Sequence, residues 1–133
     1  MPVTHERDDA RRLITVKVTD PYDRADILQV INRQASDDTW EYALLYDLRA
    51  TKNDPAEADL HEFAARVRAF AGGRPRGPVA VVIGPRPKLF QIGRTYAEMI
   101  KDFAELELLF TDAQVADWLQ RNARRGRRGT RER

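Results

Sequence analysis

Strand-like and helix-like segments alternate along the chain, and this alternation constrains the fold more than any other feature of the sequence. Short segments that are apolar throughout, or that alternate in polarity, favour β-strands, whereas apolar residues spaced three and four apart favour amphipathic helices. Strands joined by helices of this length are typical of a parallel sheet with right-handed crossovers. We therefore predict an α/β fold of order ββαβαβαβα, with a mostly parallel five-stranded sheet, an antiparallel edge strand and four helices.

The strands are predicted from short apolar or alternating segments. VTHER at 3–7 can pair through a turn with LITVKVT at 13–19, which alternates in polarity as a half-buried strand does. YALLYDL at 42–48 and PVAVVIG at 78–84 are almost continuously apolar, as expected of strands that are covered on both faces. ELELLF at 105–110 is the last predicted strand.

The helices are predicted from apolar stripes and from capping residues at their starts. Asp23 with Asp26 precedes the first stripe, and Thr111 with Gln114 precedes the last, which is the spacing of a capping box. Asp54 is predicted to cap the second helix. The third helix is predicted from the helical spacing of Ile92, Tyr96, Met99, Ile100 and Phe103.

The length of 133 residues fits one domain with a proper core. We predict this domain over residues 1–120 and an Arg-rich, disordered tail over residues 121–133. The tail holds seven Arg and one Glu, and its charge of +6 within a net charge of +2 leaves −4 for the domain. Because the tail lacks aromatic residues that stack on bases, we expect it to bind nucleic acid weakly at most.

The sequence favours a cytoplasmic protein. No apolar run approaches the roughly 20 residues that cross a bilayer, so we expect no membrane span. The start, MPVTHERDDARR, lacks the apolar segment of a secretory signal. The absence of Cys agrees with a reducing compartment, and it excludes thiol catalysis, disulfides and Cys-ligated metal centres.

Several kinds of catalytic and metal site are excluded by counting residues. The two His, His5 and His61, do not lie at metal-ligand spacing, and we expect no metal and no cofactor. The single Ser, Ser36, is predicted at the rim opposite to the one where parallel sheets bind ligands. A Ser hydrolase is therefore excluded, and we predict no catalytic residue and no enzyme activity.

Asp47 ends the central strand in LLYDLRATKNDPAE and is the residue that most invites a mechanism. DLRAT resembles the phosphatase-like pattern Asp-x-Asp-x-Thr, but Arg49 stands where the second acid belongs, and the strand that ends at Asp20 supplies only one further acid for magnesium. We predict that Asp47 accepts backbone N–H bonds or pairs with Arg49 or Arg94. A hydrolase that uses Asp47 is the weakest alternative.

The order of motifs also resembles a known family. After a hairpin come LLYDLR, VAVVIG, LFQIGRTYAEMI and LLFTDAQVADWL, and over residues 12–120 this resembles the SpoIIAA-like branch of the STAS domain superfamily, of STAS/SEC14-like type. The resemblance implies a non-catalytic switch or binding module. In signalling members a partner kinase phosphorylates a Ser in the loop after the Asp-ended strand, whereas other relatives look like carriers of apolar or lipid-like ligands. Here that loop has no Ser, and Thr51 is the only candidate phosphosite.

The candidate ligand site is the rim at the carboxyl ends of the strands, where parallel sheets bind ligands. GPRPKLFQIGRTY at 84–96 leaves this rim and enters a helix, so its cations and free helix N–H groups can hold an anionic head beside an apolar slot of Leu89, Phe90 and Ile92. Alternatively, the cations pair with rim carboxylates or are solvated. The candidate ligand-binding residues are Asp20, Tyr22, Asp47, Arg49, Arg86, Lys88, Phe90 and Arg94.

Two functions stay open from the sequence. The first is a module that binds a small amphipathic or anionic, lipid-like ligand at this rim. The second is a protein-interaction switch that resembles anti-sigma-factor antagonists and contacts a protein partner through Thr51 or the first strand, whose open edge also allows a homodimer. A pocket of roughly 300 Å³ or more favours the first function, and a filled core with a flat apolar surface favours the second.

Overall fold

The structure, a computed structural model, describes residues 2–123. The predicted order ββαβαβαβα is confirmed. The elements are β1 (Val3–Asp8), β2 (Leu13–Thr19), α1 (Arg24–Ser36), β3 (Ala43–Ala50), α2 (Glu57–Ala71), β4 (Val79–Val82), α3 (Pro87–Ile100), β5 (Leu106–Leu109) and α4 (Asp112–Asn122).

One five-stranded sheet of order β1-β2-β3-β4-β5 organises the domain. β1 is antiparallel to β2, and each later strand is parallel to its neighbour, as predicted. β3 is the central strand, and β1 and β5 are the two edges. The carboxyl ends of β2 to β5 therefore meet at one rim of the sheet.

The two faces of the sheet are covered differently. Right-handed crossovers between successive neighbouring strands place α1, α2 and α3 on one face, which we call the three-helix face. Ile14, Val16 and Leu44 point toward that face. The opposite face, called the α4 face, is covered by α4, where Trp118 packs against Leu45. The strands are thus buried on both sides, which explains their continuous apolar character.

The helix starts confirm two of the three predicted caps. The side chain of Asp23 accepts a hydrogen bond from the backbone N–H of Asp26 at the start of α1, and the box at the start of α4 is also present. The predicted cap of α2 is wrong, because α2 begins after Ala56 without a side-chain cap. Asp54 instead accepts a hydrogen bond from Arg86 Nη2 at 2.8 Å, and this ion pair holds the carboxylate away from the helix start.

The last helix extends slightly beyond residue 120. α4 continues to Asn122, and Arg121 donates hydrogen bonds to Asp117 and Glu107 at 2.9 and 3.3 Å. The rest of the predicted tail, from residue 124 onward, lies outside the described residues. Across residues 2–123, no helix combines the length and apolar character needed to cross a membrane.

Candidate functional site

The candidate residues lie at the predicted rim, but they are divided between the two faces of the sheet. Successive residues of a strand point to opposite faces. Tyr46 and Leu48 of β3 therefore point to the three-helix face, where they pack with its core. Asp47 and Arg49 point to the α4 face, where Arg49 reaches Asp112 at the start of α4. The rim thus holds two separate groups of side chains.

On the α4 face, Arg49 binds two carboxylates. Its Nε and Nη2 donate hydrogen bonds to the two oxygens of Asp47 at 3.0 and 2.9 Å, and its Nη1 donates to Asp112 at 2.6 Å. The backbone N–H of Arg49 also donates to Asp47. The predicted pairing of Asp47 with Arg49 is confirmed, whereas Arg94 takes no part in this network. Both oxygens of Asp47 are occupied, which favours a structural role for this carboxylate.

The ionisation of this network follows from its contacts. Burial alone would raise the pKa of Asp47, but the side-chain and backbone hydrogen bonds from Arg49 outweigh burial and lower that pKa. The hydrogen bonds to Asp47 and Asp112 raise the pKa of Arg49. Both changes favour the charged forms, so the network remains an ion pair at neutral pH.

Beside the three-helix face, Arg86 holds the segment 48–54. Its Nη1 donates to the backbone oxygen and to the hydroxyl of Thr51, each at 2.8 Å, and to the backbone oxygen of Leu48 at 3.2 Å. Its Nη2 donates to Asp54. The guanidinium expected to hold an anionic ligand is therefore bound by the protein itself.

Thr51, the only candidate phosphosite, lies inside this segment. Thr51 is only 4% exposed, and its hydroxyl donates a hydrogen bond to the backbone oxygen of Leu48 at 2.7 Å. The same hydroxyl accepts the bond from Arg86. A kinase could reach Thr51 only after the segment had opened.

Asp20 and Tyr22 also fix this segment. The Asp20 carboxylate accepts hydrogen bonds from the backbone N–H of Lys52 and from the side-chain amide of Asn53. The Tyr22 hydroxyl donates to the backbone oxygen of Asn53 at 3.0 Å. These two predicted site residues therefore position the wall of the rim.

Three further candidates lie on the outer side of α3. Lys88 and Arg94 are exposed, and the Arg94 guanidinium lies 5.8 Å from the ring centre of Phe90. The Phe90 ring packs on Phe110 at 5.5 Å between centres, beside the edge strand β5. The structure does not bring these three residues together with Asp20, Tyr22 or Asp47.

An apolar cavity of about 80 Å³ lies between the sheet and the three helices. Tyr22, Leu48 and Leu89 line it near the rim, and Tyr46 and Tyr96 line it farther inside. Of the candidate residues only Tyr22 lines this cavity, while Leu89 and Ile92 of the predicted apolar slot also do. The cavity is smaller than the roughly 300 Å³ that would favour a module for a larger ligand, so it has room only for a small group.

Tyr46 and Tyr96 are lining residues that sequence reasoning missed. Tyr96 lies on the apolar stripe that predicts the third helix, so it was interpreted as a core residue and no role was predicted for its hydroxyl. Tyr46 supplies the only hydroxyl within the apolar run ALLYDL, and that polar atom was the available signal. Burial raises the pKa of both Tyr22 and Tyr96, so these two hydroxyls stay protonated and can donate hydrogen bonds.

The acids and histidines of the described chain do not assemble into a metal site. Between residues 2 and 123, no group of three or more His, Cys, Asp or Glu is arranged to hold a metal ion. The carboxylates at the rim are bound to Arg49, to Arg86 or to the 48–54 segment. These carboxylates of the described rim thus act as hydrogen-bond acceptors for groups of the protein itself.

Comparison with known proteins adds no family. No protein-family model matches the chain, and a search of curated proteins found no similar protein. The resemblance to SpoIIAA-like STAS domains stays a prediction from the sequence.

Proposed function

We propose that this domain is a non-catalytic module that binds a small apolar or amphipathic ligand between the sheet and its three helices. The observation that carries this proposal is the apolar cavity, in which three tyrosines are among the few polar side chains. Ligand pockets commonly combine an apolar lining with a small number of polar groups. The lack of Cys agrees with a cytoplasmic location for such a module.

The proposed binding site lies on the three-helix face, and it is not formed by the full set of rim residues that the sequence analysis predicted. The ligand occupies the three-helix face, so Asp47 and Arg49, which point to the α4 face, do not touch it. Asp20 and Arg86 act indirectly, because their hydrogen bonds fix the 48–54 segment that borders the cavity. The exposed side chains of Lys88 and Arg94 lie outside it.

The volume of the cavity restricts the ligand. A cavity of about 150 Å³ lined by aliphatic and aromatic residues can bind benzene. The cavity here, at about 80 Å³, is roughly half as large. It therefore suits a branched or short aliphatic group, and a long acyl chain would require α1 or α3 to move.

The proposal is tested by titrating the protein with 3-methylbutan-1-ol, a small branched alcohol, and recording methyl NMR spectra. We expect saturable shifts of the methyl signals of Leu48 and Leu89. Val81 lines the cavity and Val115 packs on the α4 face, so Val81→Phe and Val115→Phe form a matched pair. Val81→Phe should abolish the shifts and Val115→Phe should keep them. A linear, non-saturating response of the parent protein would contradict the proposal.

The switch and hydrolase alternatives have less support. A phosphorylation switch at Thr51 conflicts with the burial of that hydroxyl and its two hydrogen bonds. A nucleophilic Asp47 conflicts with the occupation of both its oxygens by Arg49. A protein partner and a homodimer through β1 stay predictions from the sequence.

A further inference from the structure

A groove with two exposed carboxylates lies beside the end of the last helix. Its volume is about 310 Å³, and Asp102, Glu105 and Asn122 are among the residues that line it. Asp102 follows α3, Glu105 directly precedes β5, and Asn122 is the last residue of α4. We call it the α4-end groove. Ala123, the last residue that the structure describes, is therefore the chain neighbour of a residue that lines this groove.

The described part of the chain supplies no cation for these two carboxylates. Asp102 and Glu105 are both exposed, and no Arg, Lys or His between residues 2 and 123 forms an ion pair with either of them. Lys101 also lines the groove, but its Nζ binds the Glu98 carboxylate at 2.5 Å. The groove therefore offers two acidic groups to a cationic side chain.

The neighbouring surface restricts such a cation to the α4-end groove. Glu98 and Glu107 line a second groove, which runs between α3 and the edge strand β5. Each of these two acids has a cation already, because Lys101 binds Glu98 and Arg121 binds Glu107 at 3.3 Å. The negative charge that the domain leaves uncompensated on this side is thus concentrated beside the end of α4.

The sequence continues from this place with a strongly basic segment. Residues 124–133, RRGRRGTRER, lie outside the described part of the chain and hold six Arg and one Glu. Their charge of +5, within a net charge of +2, leaves −3 for residues 1–123. At about 3.3 Å per residue, ten residues reach up to about 33 Å, so several of these Arg can reach the groove.

Covalent connection makes weak ion pairs sufficient for docking. An isolated ion pair on a protein surface contributes little, because solvent and salt screen it. Residues 124–133 are joined to the border of the groove through Ala123, and such a connection gives an effective concentration on the order of millimolar. A guanidinium can also bind a carboxylate through two parallel hydrogen bonds, which an ammonium cannot do.

We propose that the Arg-rich segment 124–133 docks in the α4-end groove of its own chain, where its guanidinium groups donate hydrogen bonds to Glu105 and Asp102. Opposite charge and the short connection through Ala123 both favour this segment over the segment of another molecule. The α4-end groove is separate from the apolar cavity, so this inference is independent of the proposed function.

The test places a nitroxide spin label on the segment of the full chain. Because the sequence contains no Cys, Thr130→Cys gives a single labelling site. The amide NMR signals of the domain are compared with the label oxidised and reduced. At low salt we expect strong paramagnetic broadening at residues 102–105. About 1 M NaCl, where the screening length falls to about 3 Å, should remove most of it.

Two charge reversals distinguish docking from mere attachment beside the groove. Glu105→Lys places a positive charge in the groove and should weaken the broadening severalfold. Glu6→Lys is the matched control, because Glu6 is an exposed acid on the other edge strand, β1, and its reversal changes the net charge equally. It should leave the broadening unchanged. The dispersion of the amide signals checks that both variants are folded.

The outcomes decide between docking and its alternatives. No broadening in the parent chain, or equal broadening in the parent, Glu105→Lys and Glu6→Lys, would overturn docking. Broadening that persists in about 1 M NaCl would overturn its ion-pair basis. In a mixture of isotope-labelled chain without nitroxide and unlabelled chain with nitroxide, we expect no broadening at residues 102–105. Broadening there as strong as in the doubly labelled chain would assign the groove to the segment of a second copy.

Discussion

Arg86 Nη1 contacts Thr51 twice, through the backbone oxygen and through the hydroxyl, each at 2.8 Å. The two residues belong to different crossover connections of the sheet, one after β3 and the other after β4. This contact therefore ties the 48–54 segment to the start of α3 across the border of the cavity.

Arg86→Met should lower the free energy of unfolding by about 2–3 kcal/mol, because hydrogen bonds to a charged group are lost and the Asp54 carboxylate loses its partner. Urea denaturation followed by circular dichroism measures this change. Lys88→Met is the matched control, since Lys88 lies two residues after Arg86, at the start of α3, and its side chain is exposed. It should change stability by no more than about 0.5 kcal/mol. Equal losses in the two variants would contradict a specific role for Arg86.

Arg86 and Thr51 should be energetically coupled. Thr51→Val removes the hydroxyl that bridges Arg86 and Leu48 and should cost about 1 kcal/mol. The double variant Arg86→Met/Thr51→Val should lose less than the two single losses together, with a coupling of about 0.5–3 kcal/mol. The same denaturation experiment gives the coupling energy. Additive losses would show that the two side chains stabilise the segment independently.

Asp47→Asn should reduce stability by about 1 kcal/mol at neutral pH, since the exposed Arg49 limits the strength of the pair. Folding lowers the pKa of Asp47, so this stabilisation is present above about pH 4 and is lost as the pH falls through the folded pKa. The difference between parent and variant should therefore shrink on acidification. Thermal unfolding from pH 7 to pH 3 measures it, with the exposed Asp102→Asn as control. A difference that stays constant with pH would contradict the ion-pair assignment.

Gly77 is required by a close approach of two backbone segments. A Cβ at this position would collide with the backbone oxygens of Tyr42 and Glu41, which cannot move as a flexible side chain would. Gly77→Ala should therefore destabilise the domain by about 3 kcal/mol. Gly73→Ala is the comparison, because Gly73 has φ +88° but open space around its Cα. It should cost only about 1–2 kcal/mol of backbone strain. If Gly77→Ala lost less stability than Gly73→Ala, that result would contradict the close approach of the Gly77 backbone to Tyr42 and Glu41.

The sequence was sufficient for the fold because its signals are local. The capping boxes of α1 and α4 join residues three positions apart, and both were predicted correctly. The predicted cap at Asp54 was wrong because its partner, Arg86, lies 32 positions away in the sequence. A single sequence carries no signal for such a pair.

The candidate site was predicted less well for a related reason. The rim follows from the rule for parallel sheets, and Tyr22 was found through it. The alternation of side chains along β3 divides the rim between two faces. That α4 covers the face opposite α1, α2 and α3 is not specified by periodicity, so the sequence did not predict the surroundings of Asp47 and Arg49.

The most direct test of ligand binding in the cavity is a search for intermolecular NOEs between the methyl protons of 3-methylbutan-1-ol and protein aromatic protons. Binding in the cavity predicts NOEs to the rings of Tyr46 and Tyr96, which line its inner part. NOEs confined to Phe70 and Phe110, the large apolar side chains exposed on the described surface, would contradict it.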